Sequence, residues 1–341
     1  MEVVRVLRRQ PRWPWRLLAG LLGLAVAVLF VGHVWRPSQA RVERAHVRRL
    51  VEELRGVRAE VESSEDVLEK PGTRAVREAL IARIEDGGRR MRRVREELAV
   101  RPGGSEALAQ AGLVPDDVEA ALQALVRSLG DDVEPLPRAL VRQVRTQLEG
   151  WRRQGVPRAV HERARRVWPA VARGFAEERV PEAFGWVAWQ ESAFDPEVCS
   201  PAGARGLWQL MPSTARRLRL RVDDAFDDCP PAEGTRRCAC EGVDERVDPL
   251  KASQAGARYL AGLLEAFRPG GALMALAAYH RGEDGLRRAL RVLEVPEERR
   301  SDFAYLVRMS HLPLETREYV PRVLAAMLVG TRPELFGLSK P

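Results

Sequence analysis

The chain has 341 residues, enough for two or three ordinary domains, and 45% apolar content with moderate Gly and Pro excludes a wholly disordered chain. A formal net charge of +8 raises nucleic acid as a partner, yet the surplus is local. Residues 1–49 hold ten Arg against two Glu, while the remainder carries 46 basic and 46 acidic side chains, so no nucleic-acid partner is expected.

The first predicted element is an uncharged apolar run from Leu17 to Val34. Its 18 residues span roughly 27 Å as a helix, close to the hydrocarbon thickness of a bilayer. Trp13, Trp15 and Trp35 flank it, and the arginines at 5, 8, 9, 12 and 16 favour a cytoplasmic N-terminus. A single-pass anchor in the inner (cytoplasmic) membrane is expected, with the rest of the chain in the periplasm or cell-wall compartment. The rival is a cleaved signal peptide ending at Ser38-Gln39-Ala40, against which stand the length of the run and the position of Arg36.

Apolar residues then recur at Leu50, Leu54, Val57, Val61 and Leu68, and again at Leu80, Ile84, Met91, Val94 and Leu98, the alternating three- and four-residue steps of a helical seam. The break at Lys70-Pro71-Gly72 lets two helices fold back on each other, giving a hairpin or coiled stalk that could hold protein partners. Arg101-Pro102-Gly103-Gly104-Ser105 ends this unit. Helical patterns continue through 106–111, 115–129, 140–154 and 158–178, with no alternating strand runs. The expected fold class is all-α, divided into residues 1–40 (tail and anchor), 41–100 (hairpin), 101–165 (helical linker) and 166–335 (the domain with the chemistry).

Four cysteines, Cys199, Cys229, Cys238 and Cys240, lie in the second half. Outside the cytoplasm an even number favours disulfides; four permit three connectivities, and Cys238 and Cys240 each reach back to Cys229 or Cys199 rather than to one another. A zinc site is the rival reading, without well-spaced Cys or His pairs behind it. No metal and no cofactor are expected.

Val180-Pro181-Glu182 opens a helix on which Phe184, Val187 and Glu191 are spaced i, i+3, i+7 and share a face. If the first two face the core, the Glu191 carboxyl is held in an apolar environment that disfavours its charge and raises its pKa toward the range of a general acid. The competing reading is a helix-terminal Glu reaching water. The turn Phe194-Asp195-Pro196 follows, then the loop Ser200 to Gly206, then Leu207-Trp208-Gln209-Leu210-Met211-Pro212. An aromatic ring, an amide and a thioether beside a buried acid suit a sugar site.

These residues resemble the soluble-lytic-transglycosylase-like domain of the bacterial lytic murein transglycosylases, which has a lysozyme-like fold; the likeness is to the membrane-bound type D. It rests on Glu191-Ser192, on Gly206-Leu207-Trp208-Gln209 with Met211-Pro212, and on Asp244-Glu245-Arg246. Later carriers are Ala278-Tyr279-His280-Arg281-Gly282 and Leu312-Pro313 to Tyr319-Val320-Pro321. It covers roughly residues 168–327.

The resemblance implies one glutamate, Glu191, acting as acid and then base. It protonates the glycosidic oxygen between N-acetylmuramic acid and N-acetylglucosamine, and then takes the proton of the muramyl C6 hydroxyl as a 1,6-anhydro ring closes. An internal hydroxyl replaces water, so the usual second carboxylate is not required. By the same resemblance Tyr279 hydrogen-bonds and orients Glu191, while Ser200, Gln209 and Met211 line the cleft, with His280 and Tyr319 as further substrate contacts and peptidoglycan strands as the partner. Trp208 reads equally as core or wall.

Two features depart from the family pattern. His280 stands where the family has asparagine, and Val222–Val243 is an Asp- and Cys-rich insertion. The competing functions are a catalytically weak glycan-binding or scaffold domain of the same fold and a hydrolase of lysozyme type.

Overall fold

The computed structural model describes Val26, residues 36–113 and residues 117–338. The predicted anchor, apart from Val26, lies outside the described residues, and among these no single helix is long and apolar enough to cross a membrane. The chain divides into two compact units, one of Met1–Glu60 with Arg90–Val114 and one of Val61–Arg89 with Pro115–Pro341. Secondary structure is almost entirely helical, and the described residues show only isolated β-bridges in place of strands.

Helix α1 (Arg36–Leu68) and helix α2 (Arg74–Ala99) are separated by the predicted break around Pro71. In the first unit their outer parts run antiparallel, with Arg101 bonded to Glu43 at 2.9 Å and His46 to Glu97 at 2.8 Å. The seam residues Leu50, Leu54, Val57, Met91, Val94 and Leu98 are buried between these charged rims. Helix α3 (Gly104–Gln110) closes the unit.

In the second unit the hairpin tip, residues 61–89, joins the remaining helices. Helices α4 (Asp117–Ser128), α5 (Arg138–Gln154) and α6 (Val156–Glu177) match the predicted periods, and Gly155, at φ 68°, makes the break between the last two. A 3-10 turn, Glu182–Trp186, leads directly into α7 (Val187–Ser192). Then follow α8 (Pro212–Arg217), α9 (Pro249–Ala266), α10 (Gly271–Arg281), α11 (Glu283–Arg291), α12 (Phe303–Arg308) and α13 (Leu314–Thr331).

Helix α13 forms the centre, buried almost continuously from Tyr319 to Gly330 and packed by α5, α7 and α10. It admits the Trp186 ring only because residue 330 is glycine: a Cβ there would lie 1.7 Å from the indole. Trp186 in turn meets Trp168 and Phe194 at ring separations of 4.5 and 5.4 Å. This aromatic wedge fixes the approach to α7, and large rings contribute most of the buried area per residue. Helix α10 lacks a local cap. The Asp131 carboxylate, arriving from the α4–α5 connection, accepts from Ala272 N and Leu273 N at 2.8 Å each, satisfying two of its orphan donors.

Candidate active site

Helix α7 is only six residues long because Ala193 and Phe194 both take positive φ, 52° and 59°, which ends the helix one turn after Val187. Arg163 Nε of α6 donates to Ala193 O at 2.8 Å and holds that reversal. Phe184 and Val187 are fully buried, so the i, i+3, i+7 face points into the protein and carries the Glu191 carboxyl with it. The neighbouring Ser192 is also buried. Its hydroxyl bonds to Ala188 O and Leu207 O, 3.0 Å each, tying α7 to the loop of Gly206 to Gln209.

That loop is held from behind by Arg246. Its guanidinium, 1% exposed, spans both Asp244 oxygens (2.9 and 2.8 Å) and donates to Gly203 O at 2.8 Å and Leu210 O at 2.9 Å. Arg205 reaches the same Asp244 at 3.0 Å, and the two guanidinium partners keep that carboxyl below its ordinary range despite its burial. Gly206 has φ 79°, and its missing Cβ would lie 2.1 Å from Arg246 O, so both the turn and the close approach require glycine.

The Val222–Val243 insertion covers this assembly. Phe226 lies under Arg205 at 5.1 Å from guanidinium carbon to ring centroid, a cation–π contact. The four cysteines form two disulfides, Cys199–Cys238 and Cys229–Cys240. The first joins the insertion to the turn after Glu191, where Arg237 also spans both Asp195 oxygens at 2.8 and 2.9 Å.

Glu191 is half-buried at the edge of a cavity of about 280 Å³ lined by Gln190, Glu191, His280, Glu315, Glu318, Tyr319 and Arg322. Tyr319 donates its hydroxyl to Glu191 Oε1 at 2.5 Å. Burial pushes the carboxyl up to about 7, and the tyrosine hydrogen bond pulls the other way. Tyr279 sits next to the pair with its ring 5.3 Å from that of Tyr259, and burial beside Glu191 raises both Tyr279 and Tyr319 well above the usual tyrosine value. The His280 ring stacks on Tyr319 at 4.6 Å, and burial lowers its pKa.

Of the residues singled out from sequence, the structure brings Glu191, His280 and Tyr319 into one cavity, with Tyr279 behind them. The expectation that Tyr279 bonds Glu191 is corrected. Its hydroxyl reaches the Trp208 carbonyl at 2.7 Å instead, and the partner of the acid is Tyr319, delivered by α13. Ser200 Oγ accepts from Ala204 N at 3.0 Å and Gln209 Nε2 donates to Val198 O and Gly206 O at 3.2 and 3.1 Å. Both therefore brace the loop, and Met211 is exposed beside α8. None of these three lines the cavity around Glu191. Trp208 is core: it is 1% exposed, bonds Ser253 through its indole N–H at 3.2 Å and meets Phe175 at 5.1 Å.

Sequence reading did not find Glu315, Glu318 and Arg322. With Tyr319 they follow i, i+3, i+4, i+7, one face of a helix, so the spacing was available once Tyr319 was suspected. Arg322 bonds Glu318 at 2.7 Å within that face. Among the described residues no group of three or more His, Cys, Asp or Glu could hold a metal ion.

Residues 173–297 match the family model described as "Transglycosylase SLT domain". The chain is 30% identical over 151 residues to membrane-bound lytic murein transglycosylase D of Escherichia coli K12, which covers 44% of this chain and 28% of that protein. It is 33% identical over 133 residues to membrane-bound lytic murein transglycosylase F 1 of Alkalilimnicola ehrlichii, covering 38% and 22%. It is 38% identical over 100 residues to peptidoglycan transglycosylase gp16 of Escherichia phage T7, covering 29% and 6%. The chain thus spans less than a third of the length of these relatives. Residues 173–297, the stretch that carries Glu191, thus match a transglycosylase SLT domain, and the chain is homologous over part of its length to the membrane-bound lytic murein transglycosylases D and F.

Proposed function

We propose that the protein is a peptidoglycan lytic transglycosylase that cleaves the bond between N-acetylmuramic acid and N-acetylglucosamine and leaves 1,6-anhydromuramyl ends. The observation that carries this reading is a single carboxyl, Glu191, buried enough to titrate at about 7 and directed into an open cavity by Tyr319. Protonated, it can deliver its proton to the glycosidic oxygen; ionised, it can accept the proton of the C6 hydroxyl as that oxygen closes on C1. A pKa near ambient pH suits both halves of that cycle. The Tyr319 hydroxyl favours the carboxylate formed between the two steps and holds it in one orientation. His280, at the mouth, and Tyr279, behind the acid, are proposed to shape the muramyl site, with Ser200, Gln209 and Met211 holding or extending its wall.

Residues 166–335 form the lysozyme-like catalytic domain, 101–165 a helical linker and 41–100 a coiled stalk on which protein partners could dock. Leu17–Val34 anchors the chain once in the inner membrane with the domain in the periplasm.

A lysozyme-type hydrolase is favoured by one observation, the presence of Glu315 and Glu318 in the same cavity. Glu318 is already bonded to Arg322, leaving Glu315 as the group that could activate water. Digestion of purified sacculi with mass analysis of the released muropeptides decides. Anhydro products are expected; reducing ends would assign hydrolysis, and binding without release would leave a scaffold. Glu191→Gln is expected to abolish release, by at least the roughly 10²- to 10⁴-fold typical of general acid–base groups.

A further inference from the structure

Tyr319 lies beyond residue 297, where the SLT match ends, and the chain that leads to it is clamped by a part of the molecule that lies well before the match. The connecting segment is the 3-10 turn Glu297–Ser301 followed by α12. At its start, Arg299 spans the two oxygens of Glu85 at 2.6 and 3.0 Å. The same guanidinium bonds Asp302 at 2.7 Å, and Asp302 caps α12 at Tyr305 N, 2.9 Å. At its end, Arg308 Nε donates to Glu65 Oε1 at 2.9 Å, with the two side chains only 3% and 9% exposed. Glu65 and Glu85 both belong to the hairpin tip, one on each helix. Arg77, from the same tip, donates to Leu68 O at 2.8 Å and to Arg308 O.

We propose that the hairpin tip, residues 61–89, is a positioning element of the active site, acting from Glu65 and Glu85 through Arg308, Arg299 and the start of α13 on Tyr319, and so on Glu191. The proposal rests on the reading of Glu191 given above. Three features carry it. Between Arg308 and α13 only Met309 to Pro313 intervene, and this link is tight: His311 N bonds back to Leu306 O at 2.9 Å, while Met309 and Leu312 are buried. A displacement of Arg308 is therefore transmitted to the first turn of α13, and Tyr319 stands one turn further on. The Tyr319–Glu191 hydrogen bond weakens with distance and misalignment, so it responds to such a displacement.

The third feature is the chemistry of the clamp. A buried ion pair gives little net stabilisation against a well-packed apolar pair, because desolvating both charges offsets their attraction; its distinctive contribution is to permit one arrangement and penalise others. The buried Glu65–Arg308 pair at one end of the segment that leads to Tyr319, with the part-exposed, two-oxygen Glu85–Arg299 contact at the other, fixes the register of α13 rather than adding adhesion.

The test is the pH profile of kcat for sacculus cleavage by the full chain, because the alkaline limb reports loss of the proton from Glu191. The groups that face this carboxyl are Tyr319, Tyr279, Tyr259 and, around the cavity, His280, Glu315 and the Glu318–Arg322 pair. Tyr319→Phe removes a hydrogen bond that favours the carboxylate, so its limb is expected to move up by about one pH unit.

Glu65→Gln is expected to move the limb in the same direction and lower kcat about tenfold. Glu65→Asp should restore part of both. The double variant Glu65→Gln with Tyr319→Phe should shift no further than Tyr319→Phe alone. If Glu65→Gln does not fold, Glu85→Gln, which breaks the part-exposed pair, replaces it with the same expectation. Loss of thermal stability with the limb unmoved in the Glu65 and Glu85 variants, while Tyr319→Phe shifts it, overturns the inference. A limb unmoved by Tyr319→Phe, or turnover by Glu191→Gln, removes the assignment of Glu191 and this inference with it.

Discussion

At residue 191 two opposing influences meet on one carboxyl: burial favours its neutral form and a tyrosine hydroxyl favours the charged one, with burial the larger. The pH dependence follows with a definite sign. In the role proposed for it, Glu191 must hold its proton to begin cleavage, so kcat is expected to fall as pH rises through about 7. The same carboxyl is linked to folding. Its folded-state pKa lies above the ordinary 4.5, so the folded protein binds a proton that the unfolded chain has released. That contribution to stability is complete below about 4.5 and lost by about 7. Glu191→Gln has no proton to lose, so between pH 5 and pH 8 the parent should lose on the order of 2 kcal/mol relative to the variant. Chemical denaturation of both proteins at the two pH values measures this, and parallel behaviour would show that the carboxyl is solvated.

The helices differ in how far sequence alone placed them. The face of Phe184, Val187 and Glu191 was legible because helical spacing transmits burial from one residue to the next, even though the first turn proved to be 3-10. The partner of Glu191 was not, because a hydroxyl 128 positions later enters through tertiary packing that no local pattern encodes. Tyr279 was misread for the same reason: two tyrosines on different helices converge, and only geometry distinguishes the one that reaches Glu191 from the one that reaches Trp208 O. The role of Arg246 is equally hidden from any local pattern. In sequence this arginine is one charged residue of Asp244-Glu245-Arg246; in the fold it holds the two carbonyls that flank the Gly206–Gln209 loop, Gly203 O and Leu210 O, on one buried side chain. Arg246→Met should leave Asp244 buried with Arg205 as its remaining guanidinium partner and cost about 3 kcal/mol. Urea titration of the variant checks the figure, and a change under 1 kcal/mol would show that the loop does not depend on this strut.

Across the whole molecule, the helical class and the seam residues of the hairpin were readable from period and breaks, except at Leu80, which is half-buried while its neighbour Ile81 takes the buried place. The joining of the hairpin tip to the unit that holds Glu191 was not, since it depends on Glu65–Arg308 and Glu85–Arg299, pairs more than two hundred residues apart. The insertion 222–243 showed its cysteines but not their pairing. Cys199–Cys238 closes a loop of 39 positions, and the paired variant Cys199→Ser with Cys238→Ser is expected to lose about 2–4 kcal/mol of stability. Thermal unfolding under non-reducing conditions measures it; an unchanged midpoint would mean that non-covalent contacts such as Arg237–Asp195 and Arg205–Phe226 suffice to hold the insertion in place.

The two disulfides are interlaced, since Cys229 lies inside the loop closed by Cys199–Cys238 while its partner Cys240 lies outside it. A chain oxidised in the order in which its cysteines emerge would join Cys199 to Cys229 first and leave Cys238 facing Cys240. Cys199–Cys229 is not native and leaves Cys238 and Cys240 too close in sequence to pair well with each other, so thiol–disulfide exchange must undo it before the loop beside Glu191 can form. The yield of natively paired chain should therefore depend on a disulfide isomerase during biogenesis, and an oxidant alone would accumulate a mispaired chain.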